Sequence, residues 1–377
     1  MKRLSLYIAA LLLLLCLMPG CSNGSSSDAT FQEDALEVRY AAGFRLAQGE
    51  GYRRIDIVNP WDTTRLLNTY ILVDRNEEVP QRLPQGCLLR TPLRNSLLFS
   101  SVHCALLKEL DCLDAIGGVC DKDYIYVDEL RGRLAAGKLV DAGSSVAPDL
   151  EQIIDLAPDA ILLSPYENSR YDRLGNSNIP IVECADYMET SPLGRAEWVR
   201  VFGWLYGSEA VADSLFVAVE EAYNMTCERI AQVDTHPKVI TERRTGAVWY
   251  VPGGESYMAK ILADAGAEYP WRGNESSGSI ALSFEQVFAE AQDADFWLIK
   301  HHSDVPMSYR SLLEEYAPYA RFKAFDKKQI YDCNTQYYRY YEEVPFHPER
   351  LLQDLGAIFH PHLFENYTPY YFHPIAL

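Results

Sequence analysis

The side chains best suited to gripping a small molecule fall in short loops along this chain. Residues 337–341 read Tyr-Tyr-Arg-Tyr-Tyr, the densest aromatic and cationic cluster present, led by Tyr337, Tyr338 and Arg339. Arg243 and Arg244 stand side by side ahead of Tyr250, and Trp271 and the pair Lys300 and His301 follow. Ser101, His103, Tyr124 and Tyr166 hold comparable places in the first half. Aromatic rings offer flat, rigid contact area, while Arg and Lys complement carboxylates and other anionic oxygens. These residue types point to capture of a small ligand. Two plainer readings stand beside it: an edge strand with exposed tyrosines at 337–341, and a solvated Arg243-Arg244 pair.

Catalysis has less to work with. The chain contains no GxSxG, HExxH, GxGxxG or Walker sequence. A hydrolase built on His301 and Asp304 is one alternative, but it leaves the repeat described next unexplained. Another is a protein binding zinc or manganese ions, which needs three or four converging His, Asp or Glu ligands. His301 and His302 do not supply them easily, because neighbours on a strand face opposite ways. No intrinsic cofactor and no protein-held metal are expected.

The loops must be positioned by regular elements, and one pattern occurs twice. Residues 149–163 read Asp-Leu-Glu-Gln-Ile-Ile-Asp-Leu-Ala-Pro-Asp-Ala-Ile-Leu-Leu, and residues 283–299 read Ser-Phe-Glu-Gln-Val-Phe-Ala-Glu-Ala-Gln-Asp-Ala-Asp-Phe-Trp-Leu-Ile. Each begins with a short helical pattern and ends in an apolar run, so each reads as a helix feeding a buried parallel strand. Between them, residues 192–232 hold no strand-like run. A face of Trp198, Phe202, Leu205 and Tyr206 precedes a long helix over 208–232, whose apolar stripe is predicted as Val211, Leu215, Val219, Ala222 and Ile230. The fold class is therefore α/β, with two doubly wound lobes joined by a single long helix. Ligands of such lobes meet the loops at the carboxyl ends of the strands, where the aromatic and cationic residues above are placed. Val248–Val251 is expected among the strands of the second lobe. Residues 36–58 alternate as an antiparallel meander ahead of the first lobe.

The N-terminus carries Lys2 and Arg3, an apolar stretch from Leu4 to Met18, and then Pro19-Gly20-Cys21. This is an export signal whose end resembles the lipobox of bacterial lipoproteins, which makes Cys21 the expected acylation site. The expected organisation is signal and anchor over 1–21, a tether over 22–34, a first lobe with its meander over 35–190, a helical linker over 191–235 and a second lobe over 236–377. The net charge of −19 argues against nucleic acid and against lying on an anionic leaflet. Beyond Cys16 and Cys21, the odd set of seven cysteines has no CxxC spacing, so it is neither a disulfide framework nor a zinc motif.

Lipobox, lobe, long helix and lobe together resemble the substrate-binding proteins of ABC importers for vitamin B12, iron–siderophore complexes and haem. Over about residues 85–365, the local matches are Ser100-Ser101-Val102-His103 before a helix, Pro148-Asp-Leu-Glu followed by Ala-Pro-Asp-Ala-Ile-Leu, Gly253-Gly-Glu-Ser, Ser283-Phe-Glu and the Phe346-His-Pro-Glu tail. The resemblance implies a monomeric, non-enzymatic lipoprotein on the extracytoplasmic side of the cell envelope. It would capture a ferric siderophore, cobalamin or haem between its lobes and deliver it to a permease dimer in the inner membrane. It also implies that Glu151 and Glu285, one per repeat, pair with permease arginines; each stands where a helix dipole favours a carboxylate.

Overall fold

The computed structural model describes residues 31–168, 171 and 174–377. The proposed signal, Cys21 and most of the tether lie outside these residues. Glu33–Leu377 form one compact unit.

Both copies of the repeat fold as their periodicity predicts. Helix Leu150–Leu156 feeds strand Ala160–Leu163, and helix Phe284–Ala291 feeds strand Phe296–His301. Asp149 caps the first helix by accepting from the N–H groups of Glu151 and Gln152, and Ser283 and Gln286 form a capping box on the second. Each strand joins a parallel sheet. In the first lobe the order is Ile181–Glu183, Ala160–Leu163, Ser96–Leu98, Ile116–Val119 and Val140–Asp141. All four residues of Ala160–Leu163 are buried, as an uninterrupted apolar run in a sheet covered on both faces requires.

The second lobe forms strand Val248–Pro252 as expected and divides its strands between two sheets. Its parallel strands are Val239–Thr241, Phe296–His301 and Ile330–Asn334, with His373–Pro374 antiparallel at the edge. Val248–Pro252 is not among them; it forms a separate antiparallel sheet with Arg244–Thr245 and Ser279–Leu282. Gly246, at φ 63, turns the chain back within a few residues. So short a connection can make a hairpin but not the crossover a parallel pair needs.

The linker consists of Pro192–Glu197, Val199–Tyr206 and the helix Glu209–Ile230, whose 22 residues span about 33 Å. Its buried stripe is Ala212, Phe216, Val219, Tyr223, Thr226 and Ile230. The predicted stripe was out of phase at its start, and Val211 is exposed. Tyr223 reaches across to Asp264 of the second lobe with a 2.7 Å hydrogen bond. A further tie between the lobes is His347, whose Nε2 lies 2.6 Å from Glu109 of the first lobe and whose Nδ1 lies 2.9 Å from Glu349 of the terminal helix. Burial alone would lower this imidazole, but the two carboxylates raise it from 6.5 to about 9. A folded value above the unfolded one stabilises fully below about pH 6.5 and is lost as pH rises through about 9. Chemical denaturation should therefore show stability falling by roughly 2–3 kcal/mol across that window. His347→Gln should flatten the profile, and a variant with an unchanged slope would assign the loss to other groups.

The meander ahead of the first lobe is a five-stranded sheet, Asp34–Leu36, Phe44–Gly49, Tyr52–Val58, Leu66–Asp74 and Cys87–Thr91, in sequence order. The first four strands are antiparallel and the fifth returns parallel to the fourth. Acids of the linker region hold the segment that enters it. Glu197, fully buried, accepts from the N–H groups of Arg39, Tyr40 and Ala41 at 2.9, 2.8 and 2.9 Å. Glu189 accepts from Ala42, Gly43 and the Trp198 indole, and Glu220 from Arg39 and the Tyr40 hydroxyl. A Cβ at Gly43 would sit 2.9 Å from both Glu189 and Trp198, so glycine permits the approach. At the other end, buried Asp354 accepts from the N–H groups of Tyr370, Tyr371 and Phe372 and from the Tyr367 hydroxyl, fixing the tyrosine-rich C-terminus. The seven cysteines of the described residues are free thiols.

Candidate functional site

A cavity of about 590 Å³ opens where the lobes and the linker meet. Val102, in the first turn of helix Ser101–Glu109, comes from the first lobe, and Arg195 comes from helix Pro192–Glu197. The remaining wall belongs to the second lobe. Glu242 and Arg243 follow strand Val239–Thr241, and Lys300 lies near the end of strand Phe296–His301. This is the carboxyl end of the parallel sheet, where a ligand is expected. Tyr250, Tyr257, Tyr340 and Tyr341 supply the aromatic surface, and Ser256, Ser277 and Ser279 supply hydroxyls.

Each cation of the wall already has an acidic partner. Lys300 is bonded to Glu242, Arg243 to Glu315, and Arg195 lies 3.3 Å from Asp186. Burial alone would lower the Lys300 ammonium; Glu242 beside it, with the neighbouring tyrosines, instead holds it above its ordinary value, so it is fully charged. Burial pushes the Asp186 carboxyl up, but His103 and Arg195 bring it below the usual range. Glu242 takes a left-handed backbone at φ 61, rare for a residue with a side chain. Its N–H donates to Leu298 and its carbonyl accepts from the Trp297 indole at 2.6 Å, which fixes the geometry. Burial raises the phenols of Tyr257, Tyr340 and Tyr341, so they are neutral hydroxyls.

Of the residues singled out from sequence, the structure brings Arg243, Tyr250 and Lys300 together here. Ser101 borders the cavity beside Val102 and donates to Glu342 at 3.2 Å. His103 points the other way: one helical step past Val102 turns it into the lobe, against Asp186 at 3.0 Å and the Phe202 ring. His301 alternates away from Lys300 and binds Asp332 at 2.6 Å. Trp271 is buried edge-on to Tyr269, and Arg244 stacks over Tyr316 at 3.9 Å. Tyr338 packs on His373, and Arg339 sits at the start of helix Tyr340–Glu343. Tyr337 and Tyr124 are exposed outside the cavity wall. Tyr166 lines a second hollow of about 900 Å³ over the first lobe, together with Phe99, Val146, Leu163, Tyr171 and Glu151. Glu151 and Glu285 are both exposed in the first turns of their helices.

Sequence reasoning missed Arg195, Glu242, Tyr257 and the acids behind the wall. Arg195 sits in a helix with no motif around it, and nothing local marks Glu242 as the partner of a lysine 58 residues away. Among the described residues, no group of three His, Cys, Asp or Glu side chains converges to hold a metal ion.

The sequence model of the family described as periplasmic binding protein matches residues 106–337. An uncharacterized lipoprotein of Methanocaldococcus jannaschii is 26% identical over 321 residues, covering 80% of this chain and 75% of its own length. Among solved structures, a protein titled as an ABC-type Fe3+-hydroxamate transport system from Saccharomonospora viridis aligns with a TM-score of 0.55 at 18% identity, over 71% of this chain and 94% of that one. A periplasmic heme binding protein from Pseudomonas aeruginosa aligns with a TM-score of 0.58 at 14% identity, over 75% and 98%. At these identities the two structures show a shared fold.

Proposed function

From the premise that this chain belongs to the periplasmic binding protein family, whose members are solute-binding transport proteins and not enzymes, we propose that it captures a metal chelate for an ABC importer. The chelate is a ferric siderophore, or cobalamin or haem, held in the cavity between the lobes and handed to a permease dimer. The observation that carries this reading is the cavity itself. About 590 Å³ falls within the usual range for small-ligand sites, and its wall joins both lobes and the linker at the strand ends. Its four tyrosines suit a large, flat or lipophilic ligand better than a bare ion. The fold is shared with the hydroxamate and haem proteins. The test is direct: absorption spectra of the protein after incubation with cobalamin, haem and ferric siderophores, then gel filtration. One chromophore should co-elute with the protein at equal stoichiometry. Co-elution of none, with stoichiometric retention of zinc or manganese, would replace this reading with ion binding.

The family and the lipoprotein relatives place the chain in the cell envelope. Anchoring through acylated Cys21 is part of the proposal, because two or more acyl chains give stable attachment where one is marginal. Cys21→Ser should move the protein from the membrane pellet to the soluble fraction. Full retention in the pellet would exclude Cys21 as the anchor.

A further inference from the structure

We infer, on the reading of the cavity as the chelate site, that it selects a chelate of zero net charge and discriminates against polyanionic ones. A wall containing Arg195, Arg243 and Lys300 looks at first like an anion site. Its hydrogen bonds say otherwise, because Asp186, Glu315 and Glu242 occupy those cations one for one. Two of the pairs are built into the fold: Asp186 is 2% exposed and also held by His103, and Glu242 is fixed by its own left-handed backbone. The third, Arg243 with Glu315, is more open to solvent. An incoming anion would have to compete with carboxylates already in contact, two of them in a partly desolvated part of the wall. The same wall is generous to a neutral ligand. Its tyrosines and serines supply hydroxyls that hydrogen-bond a ligand without adding charge. Glu342, 8% exposed and bonded to Ser101 at the cavity edge, adds no positive charge. The net charge of −19 on the whole chain opposes approach of a polyanion from a distance, independently of the wall.

The experiment titrates the full chain in detergent with an uncharged ferric trihydroxamate, with uncharged cyanocobalamin and with a trianionic ferric tricatecholate, following quenching of tryptophan and tyrosine emission. At least one uncharged chelate should bind about a hundredfold tighter than the trianion. Glu242→Gln frees Lys300, and Glu315→Gln, on the more exposed flank, frees Arg243. Each should narrow the ratio about tenfold by improving binding of the trianion. Tighter or equal binding of the trianion to the unaltered chain would overturn the charge inference while leaving chelate capture intact. So would variants that leave the ratio unmoved. Failure of all three probes to bind would overturn this inference, and failure of haem as well, in the spectral test above, would remove the chelate reading itself.

Discussion

A chain carrying both Glu151→Arg and Glu285→Arg is expected to bind its ligand normally and to support no uptake. Both glutamates are exposed in the first turn of a helix, where the dipole already stabilises a carboxylate. They open the two copies of one helix–strand unit, one in each lobe. The lobes are joined by a continuous helix with no break from Glu209 to Ile230, so their separation is held without a hinge of flexible strands. We propose that these two acids dock a permease through matching arginines. Reversing one alone should weaken docking by roughly 2–5 kcal/mol, since it leaves an arginine unpaired at the interface. Transport assays on vesicles read the outcome, with ligand affinity measured separately. Normal uptake by the double variant would reduce both residues to helix-start acids. Reduced ligand affinity would point to Glu151, which borders the hollow over the first lobe, and would extend the ligand site to that hollow.

The parts of this molecule legible in its sequence are those governed by short-range periodicity. The two repeats and the linker helix each carry apolar spacing that one element must bury, and each forms where expected. Phase was less secure. The linker stripe was placed on Val211 and Leu215, whereas Ala212 and Phe216 are the buried pair; a mixed helix offers two apolar faces, and only tertiary packing chooses between them. Val248–Val251 has the composition of a buried strand in either kind of sheet, so its antiparallel pairing was hidden until the Gly246 turn was seen.

The site divides along similar lines. Arg243 and Lys300 were legible because strand ends in an α/β lobe point at the ligand, whereas Tyr250 reaches the cavity from the middle of the antiparallel strand Val248–Pro252. His103 and His301 stand next to true cavity positions, and a turn of 100° or one strand alternation sends them inward instead. The acids that neutralise the wall were not legible at all. Glu242 and Lys300, Arg243 and Glu315, and Arg195 and Asp186 come together only through the fold. Their pairing, not the count of cations, sets the electrostatics of the cavity.

Glu197→Ala is expected to lower the unfolding free energy by about 3–6 kcal/mol and to release the N-terminal sheet to proteolysis before the rest unfolds. The carboxylate is fully buried and accepts three consecutive backbone N–H groups, those of Arg39, Tyr40 and Ala41, while Arg200 supports it at 3.3 Å. Alanine removes the acceptor of three backbone donors on exposed or half-buried residues; an unsatisfied buried donor costs about 1–3 kcal/mol, and access of water keeps the sum in the lower part of the range that three would give. Glu197→Gln keeps one acceptor oxygen and should lose less than half as much. Other holds on the sheet are apolar, including Phe44 edge-on to Trp198 at 5.2 Å, and polar, including the Tyr70 hydroxyl, which donates to the Ile181 carbonyl and accepts from the Glu183 N–H. Urea unfolding of Glu197→Ala beside Phe44→Leu compares the acid with the packing. If the alanine variant keeps the midpoint of the unaltered chain while Phe44→Leu loses it, Glu197 is not what fastens the sheet. If the ordering is reversed, the acid is the fastening. In that case Asp354, which accepts three consecutive N–H groups of the C-terminal segment in the same way, fastens the other end of the chain by the same physics, and Asp354→Ala should release residues 367–377 in turn.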